Sequence, residues 1–149
     1  MKEAKIKLNA ADNSIESGFL KSAAHDIYFA AENAARALLL EVEGNIPRDK
    51  NKIWIKITNL QRRGIITTFT RADIDRTYLF RTKADYVEID ELAEITKDAI
   101  LSAFGIVEEF VEEVERVLKK VIEEKSHVFI SLKNIKIVES GSRKRIPLD

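Results

Sequence analysis

The sequence predicts an all-α protein: an up-and-down bundle of about five helices, the last of them long, followed by a short tail that reads as a β-hairpin. Three observations carry this. The 149 residues suit one domain with a hydrophobic core. Apolar residues recur every three or four positions through most of the chain. Gly, Pro and capping residues interrupt those runs where helices would end or begin.

The first helix is expected over about residues 3–16, with Ala4, Leu8, Ala11 and Ile15 on one face. Ser17-Gly18 ends it. The second runs from about 19 to 43, its stripe made of Leu20, Ala24, Ile27, Ala31, Ala34 and Leu38, and stops at Gly44 and Pro47. Its many alanines suit close helix approach, in a core or at a dimer face.

About residues 52–66 fit two periods. Ile53, Ile55 and Ile57 alternate like a strand, while Ile53, Ile57 and Leu60 share a helical face. A helix is the better choice, because a lone strand would have no partner nearby. Thr70-Arg71-Ala72-Asp73 has the form of a capping box and opens a fourth helix that reaches about residue 85.

Asp90 is placed to cap a fifth helix near 91–125, on which Leu92, Ile95, Ala99, Ala103, Ile106, Phe110, Val114, Val117 and Val121 advance by threes and fours. At about 35 residues it would span about 50 Å, more than a compact bundle needs. Its far end is expected against another subunit or the tail. The bundle is thus expected over 1–126 and the tail over 127–149. In the tail, 128–132 and 135–138 read as strands around Lys133-Asn134. A lone hairpin is marginal in water, so it should dock. Arg143-Lys144-Arg145 reads as a solvated charge run.

Composition narrows function. Basic and acidic residues number 25 each, so affinity for nucleic acid or an anionic membrane must come from a local patch. The absence of cysteine excludes disulfides and thiolate chemistry. Two distant histidines, His25 and His127, make no metal pattern, and neither metal nor cofactor is expected. No apolar run approaches the ~20 residues of a membrane helix, and the charged N-terminus leads into no signal core; a cytoplasmic protein is expected. The Ile, Glu and Lys content resembles that of thermophile proteins.

No phosphate loop or nucleophile elbow is present. What remains is a polar cluster: Asp26, Phe29, Glu32, Asn33 and Arg36 on the second helix, read as the face opposite its apolar stripe, and Arg81, Asp85 and Tyr86 at the end of the fourth. Arg81 and Asp85 are i,i+4 neighbours and could simply pair on the surface. Tyr86 could be a core aromatic with its hydroxyl at the rim. Trp54 and Phe110 read as core anchors, His25 as a helix-surface or dimer-contact residue, and His127 as solvated.

The segment Arg81-Thr82-Lys83-Ala84-Asp85-Tyr86 resembles the Arg-x-x-Ala-Asp-Tyr signature of HEPN domains (higher eukaryotes and prokaryotes nucleotide-binding). Residues 22–39, Ser-Ala-Ala-His-Asp-Ile-Tyr-Phe-Ala-Ala-Glu-Asn-Ala-Ala-Arg-Ala-Leu-Leu, are similar to that family's second helix. The resemblance extends over about 4–125. It implies a homodimeric bundle with a polar cleft between subunits, binding a nucleotide or RNA through Arg81, Asp85, Tyr86, Glu32 and Asn33. Some relatives are metal-independent ribonucleases that use an Arg and a His four to six residues apart. Others partner minimal nucleotidyltransferases in toxin–antitoxin pairs, where a Tyr near the motif can receive a nucleotide.

This chain departs from the ribonuclease pattern. Tyr86, Val87 and Glu88 stand where the His should fall, and a phenol, with an ordinary pKa near 10, is a poor base at neutral pH. The loop after Pro47 carries Arg48-Asp49-Lys50-Asn51-Lys52 in place of the family's Thr-His. The resemblance therefore favours a dimeric nucleotide- or RNA-binding partner of a nucleotidyltransferase. A ribonuclease toxin and a non-catalytic scaffold are the alternatives.

Overall fold

The computed structural model describes residues 1–86 and 96–145, with side chains over 1–82 and 96–135. Among the described residues there are five helices and no strand: α1 (Lys2–Glu16), α2 (Leu20–Glu43), α3 (Lys50–Arg62), α4 (Arg71–Tyr86) and α5 (Lys97–Arg145). The chain divides into two compact units, Met1–Val117 and Leu118–Asp149.

The first unit is the bundle. All four apolar residues expected of α1 are buried. So are Ala24, Ile27, Ala31, Ala34 and Leu38 of α2, with Leu20 half-buried at the helix entrance. Helix α2 ends where expected, at Gly44 in the left-handed conformation with its N–H donating to the Leu40 carbonyl. The doubtful third segment is helical. Ile53, Ile57 and Leu60 are buried while Ile55 is 53% exposed, which is the helical face and excludes the alternating one.

Helix α2 is covered by α1, α3 and α4, so its polar face does not lie open to solvent as the opposite-face reading implies. Glu32 is only 4% exposed. Within the bundle, α5 buries Ile100, Ala103, Val107, Phe110, Val111 and Val114. That shares Ala103, Phe110 and Val114 with the expected stripe. Ala99, Ile106 and Val117 are half-buried at its margins. The described helix starts at Lys97, where Thr96 accepts from the Ala99 N–H at 3.1 Å. Asp90, Leu92 and Ile95 lie outside the described residues.

The link from α3 to α4 is held from two sides. Glu113 of α5 accepts from the Thr67 and Thr68 N–H groups (both 2.9 Å to Oε1) and from both threonine hydroxyls. Gln61 of α3 donates to the Thr68 and Phe69 carbonyls. So clamped, Phe69 adopts φ 59°, a costly value for a bulky residue. Its ring is buried between Trp54 (5.7 Å) and Phe110 (4.7 Å), and that packing offsets the strain. The next residue opens α4 through the expected capping box: Thr70 N–H donates to Asp73 Oδ2 at 3.0 Å, and Asp73 N–H to Thr70 Oγ at 3.3 Å.

The second unit corrects the expectation for the tail. Residues 128–132 and 135–138 are helical, part of α5. Val, Ile and Phe have high strand propensity, but propensity is a weak determinant. Val128, Leu132 and Ile135 also recur at helical spacing, and a hairpin with no sheet to join is poorly stabilised.

Candidate functional site

The aromatic core continues outward from Phe69 to a surface cluster. Trp54 stacks on Phe69, and its Nε1–H donates to the Tyr28 hydroxyl at 3.4 Å. Tyr28 in turn meets Phe29 and Tyr78 edge-on, each at 5.7 Å. Burial raises the Tyr28 phenol above its ordinary value of 10. The Trp54 hydrogen bond lowers it, Glu32 raises it, and the positive charge of Arg81 lowers it. Tyr28 therefore stays protonated and neutral at physiological pH.

Cations gather on this aromatic surface. The Arg81 guanidinium lies 4.9 Å from the Tyr28 ring and 5.1 Å from the Phe29 ring. Lys50 Nζ lies 5.8 and 5.7 Å from the same two rings, and Lys7 Nζ is 6.0 Å from Phe29. Such contacts hold long side chains in place by cation–π attraction. Glu32 is the buried counter-charge: its Oε1 is 3.3 Å from Arg36 and 3.8 Å from Lys50. Asp26 meets Lys7 at 4.0 Å.

Beside this cluster lies a cleft of about 490 Å³, lined by Tyr28, Trp54, Ile74 and Tyr78 together with Asp49, Lys50, Asn51, Arg71 and Asp75. That volume is within the range of small-ligand sites, and the lining is mixed, an aromatic wall facing charged and amide side chains. Tyr28 and Lys50 belong to both cluster and cleft. An aromatic wall that can take a base is thereby joined to cations that can take a phosphate.

Of the residues the sequence singles out, Arg81 and Glu32 converge on this cluster through Tyr28, Phe29 and Lys50. Asn33 is half-buried on α2, and the contacts that bind the cluster run through its neighbours. Asp85 and Tyr86 end α4, but their side chains lie outside the described ones, as does any Arg81–Asp85 pair; Val87 and Glu88 lie outside the described residues. His25, half-buried, stacks on Phe29 at 6.3 Å. Trp54 and Phe110 are buried anchors as expected, with Trp54 also lining the cleft. Sequence reasoning missed Tyr28, Lys50, Tyr78 and Arg71. Lys50 was legible only as part of an unusual basic loop, and Tyr28 only as a residue within the family-like second helix.

A family model for the HEPN domain matches residues 1–117. The chain belongs to the HEPN domain family, a nucleotide- and RNA-related module, as the motifs on α2 and α4 imply. No curated protein matches it significantly. The matched segment coincides with the first compact unit, which holds the whole cluster and cleft. No described helix is long and apolar enough to cross a membrane.

Proposed function

We propose that this HEPN domain binds RNA or a nucleotide through the Arg81–Lys50 cluster and the adjoining aromatic cleft, acting as a homodimeric partner of a minimal nucleotidyltransferase. The supporting observation is the convergence of Arg81 and Lys50 on the Tyr28 and Phe29 rings, at the mouth of a cleft sized for a small ligand. A polynucleotide suits the surroundings. Residues 48–71 carry Arg48, Lys50, Lys52, Lys56, Arg62, Arg63 and Arg71 against the single acid Asp49. Arg48, Lys52, Arg62, Arg63 and Arg71 are exposed. Arg63 pairs with Glu43 and Arg71 with Asp75. The positive excess of this stretch therefore rests mainly on Arg48, Lys52, Lys56 and Arg62, a local basic stretch that can attract a phosphate backbone. In this reading Arg81 and Lys50 hold phosphate, a base rests in the cleft, and Tyr86, at the end of the same helix as Arg81, accepts a nucleotidyl group from ATP. Its hydroxyl oxygen bonds to the α-phosphorus, the α–β anhydride breaks, and pyrophosphate and the phenolic proton leave.

The test uses labelled RNA, labelled ATP and a minimal nucleotidyltransferase added in trans. Arg81→Ala should weaken binding by about ten- to a hundredfold, the loss of a charge-assisted contact worth about 1.5–3 kcal/mol. Tyr86→Phe should preserve binding and abolish labelling by ATP. Absence of binding to RNA and ATP alike would leave a dimeric scaffold.

A second reading, metal-independent RNA cleavage, draws on His25, which shares Phe29 with Arg81. It offers an imidazole to a motif that has Tyr86 in the histidine position. RNA cleavage without metal, lost in both His25→Ala and Arg81→Ala, would establish it. Binding without cleavage would reject it.

A further inference from the structure

The second unit carries an exposed apolar face. Along α5, Leu118, Val121, Lys125, Val128, Leu132 and Ile135 follow the spacing 3-4-3-4-3, which is the a/d seam of a heptad repeat. Val128, Leu132 and Ile135 are each more than half exposed, and so is the neighbouring Phe129 at 67%. Contiguous exposure of this kind marks an interface. The residues at b, c and f of the same turns include Lys119, Lys120, Glu123 and Lys133, a solvated outer face, although Ile130 also lies there.

We infer that this segment self-associates with the same segment of a second copy, as a parallel, in-register coiled coil. The seam's period requires a partner helix of the same period, and its charge pattern selects a second copy. The 3.5-residue period keeps a seam facing a partner only when the partner helix supercoils with the same period, and an identical segment in register does so. The one charged residue in the seam, Lys125 at a, is preceded by Glu124 at g, and the two line one groove with Val121, Val128, Phe129 and Leu132. In a parallel pair, an a side chain lies next to the preceding g side chain of the partner. Each Lys125 therefore meets the other copy's Glu124, twice over by symmetry. A lysine at a single a position also fixes register, at some cost in stability. The inference concerns residues 118–135 alone and stands whether or not the bundle binds RNA.

The chain lacks cysteine, so an introduced one can bond only to its copy on another chain. In the full-length protein at micromolar concentration, Val128→Cys should form a covalent dimer under mild oxidation, since in-register d positions bring Cα atoms within disulfide reach of about 4.4–6.8 Å. Glu123→Cys, at f on the outer face, should not. In the Val128→Cys background Lys125→Glu should cut the dimer yield severalfold, and adding Glu124→Lys should restore it. Val128 and Glu123 are both exposed, so neither substitution removes a core side chain. Failure to cross-link at 128, equal cross-linking at 128 and 123, or a yield indifferent to the charge swaps would overturn the inference and give the face to a different occupant.

Discussion

Glu32 and Glu113 are both buried carboxylates on helices of the same bundle, and their surroundings differ in kind. Among the described residues Glu113 meets neutral donors: two backbone N–H groups and two threonine hydroxyls of the 67–68 turn. Glu32 faces cations, Arg36 and Lys50, whose side chains are each 42% exposed. A carboxylate saturated by local donors fixes a backbone. One that shares half-exposed cations with an aromatic surface holds charges an incoming anion can compete for. The first is therefore a structural clamp and the second part of the proposed site, although burial alone would rank them together.

The contrast can be broken first at Glu113. Glu113→Ala leaves the Thr67 and Thr68 N–H groups without their acceptor and releases the turn that seats Phe69. Unfolding free energy should fall by about 2–4 kcal/mol, roughly 5–12 °C in melting temperature, with RNA affinity changed little at temperatures where the variant is folded. Calorimetry or thermal circular dichroism measures this.

The same residue shapes the acid limb of stability. Burial alone would raise the Glu113 carboxyl. Its hydrogen bonds from Thr67 and Thr68 outweigh that and hold it below the ordinary value of 4.5. A group with a depressed folded pKa contributes stability fully above its unfolded value and loses it as pH falls through the folded one. Wild-type melting temperature should therefore drop below about pH 4.5, and Glu113→Gln should flatten that part of the profile.

Glu32→Gln should have the opposite balance. Glu32 is buried while Arg36 and Lys50 are half-exposed, so replacing it with the neutral, isosteric amide should cost about 1–2 kcal/mol of stability. Removing the competing carboxylate should strengthen RNA or nucleotide binding severalfold, about 1 kcal/mol, at low salt. An unchanged affinity would detach Glu32 from the site.

The difference between the two acids is also a difference in what sequence can reveal. Period and punctuation located α1, α2 and α4 closely, because Ala4, Leu8, Ala11 and Ile15 face the core at helical spacing and Thr70 caps with Asp73. Of the proposed site, Arg81 and Glu32 are the residues that motif and helix face single out in the sequence. Glu113 is not singled out: it sits among Glu108, Glu109, Glu112 and Glu115, and nothing local separates the one that turns inward. Lys50 and Tyr28 were missed for the same reason, since their meeting depends on how α3 packs on α2. The tail was misread because a β-branched run satisfies both periods over so short a span, and helical continuity from α5 decided between them.

The most direct measurement uses Trp54, the chain's single tryptophan, which lines the cleft beside Tyr28. Its fluorescence should change saturably as a short single-stranded RNA or ATP is added. The midpoint should move about ten- to a hundredfold higher in Arg81→Ala and stay near wild type in Glu113→Gln. A titration unaffected by Arg81→Ala, or ligand binding that leaves Trp54 silent, would contradict the assignment of this cluster and cleft as the binding site.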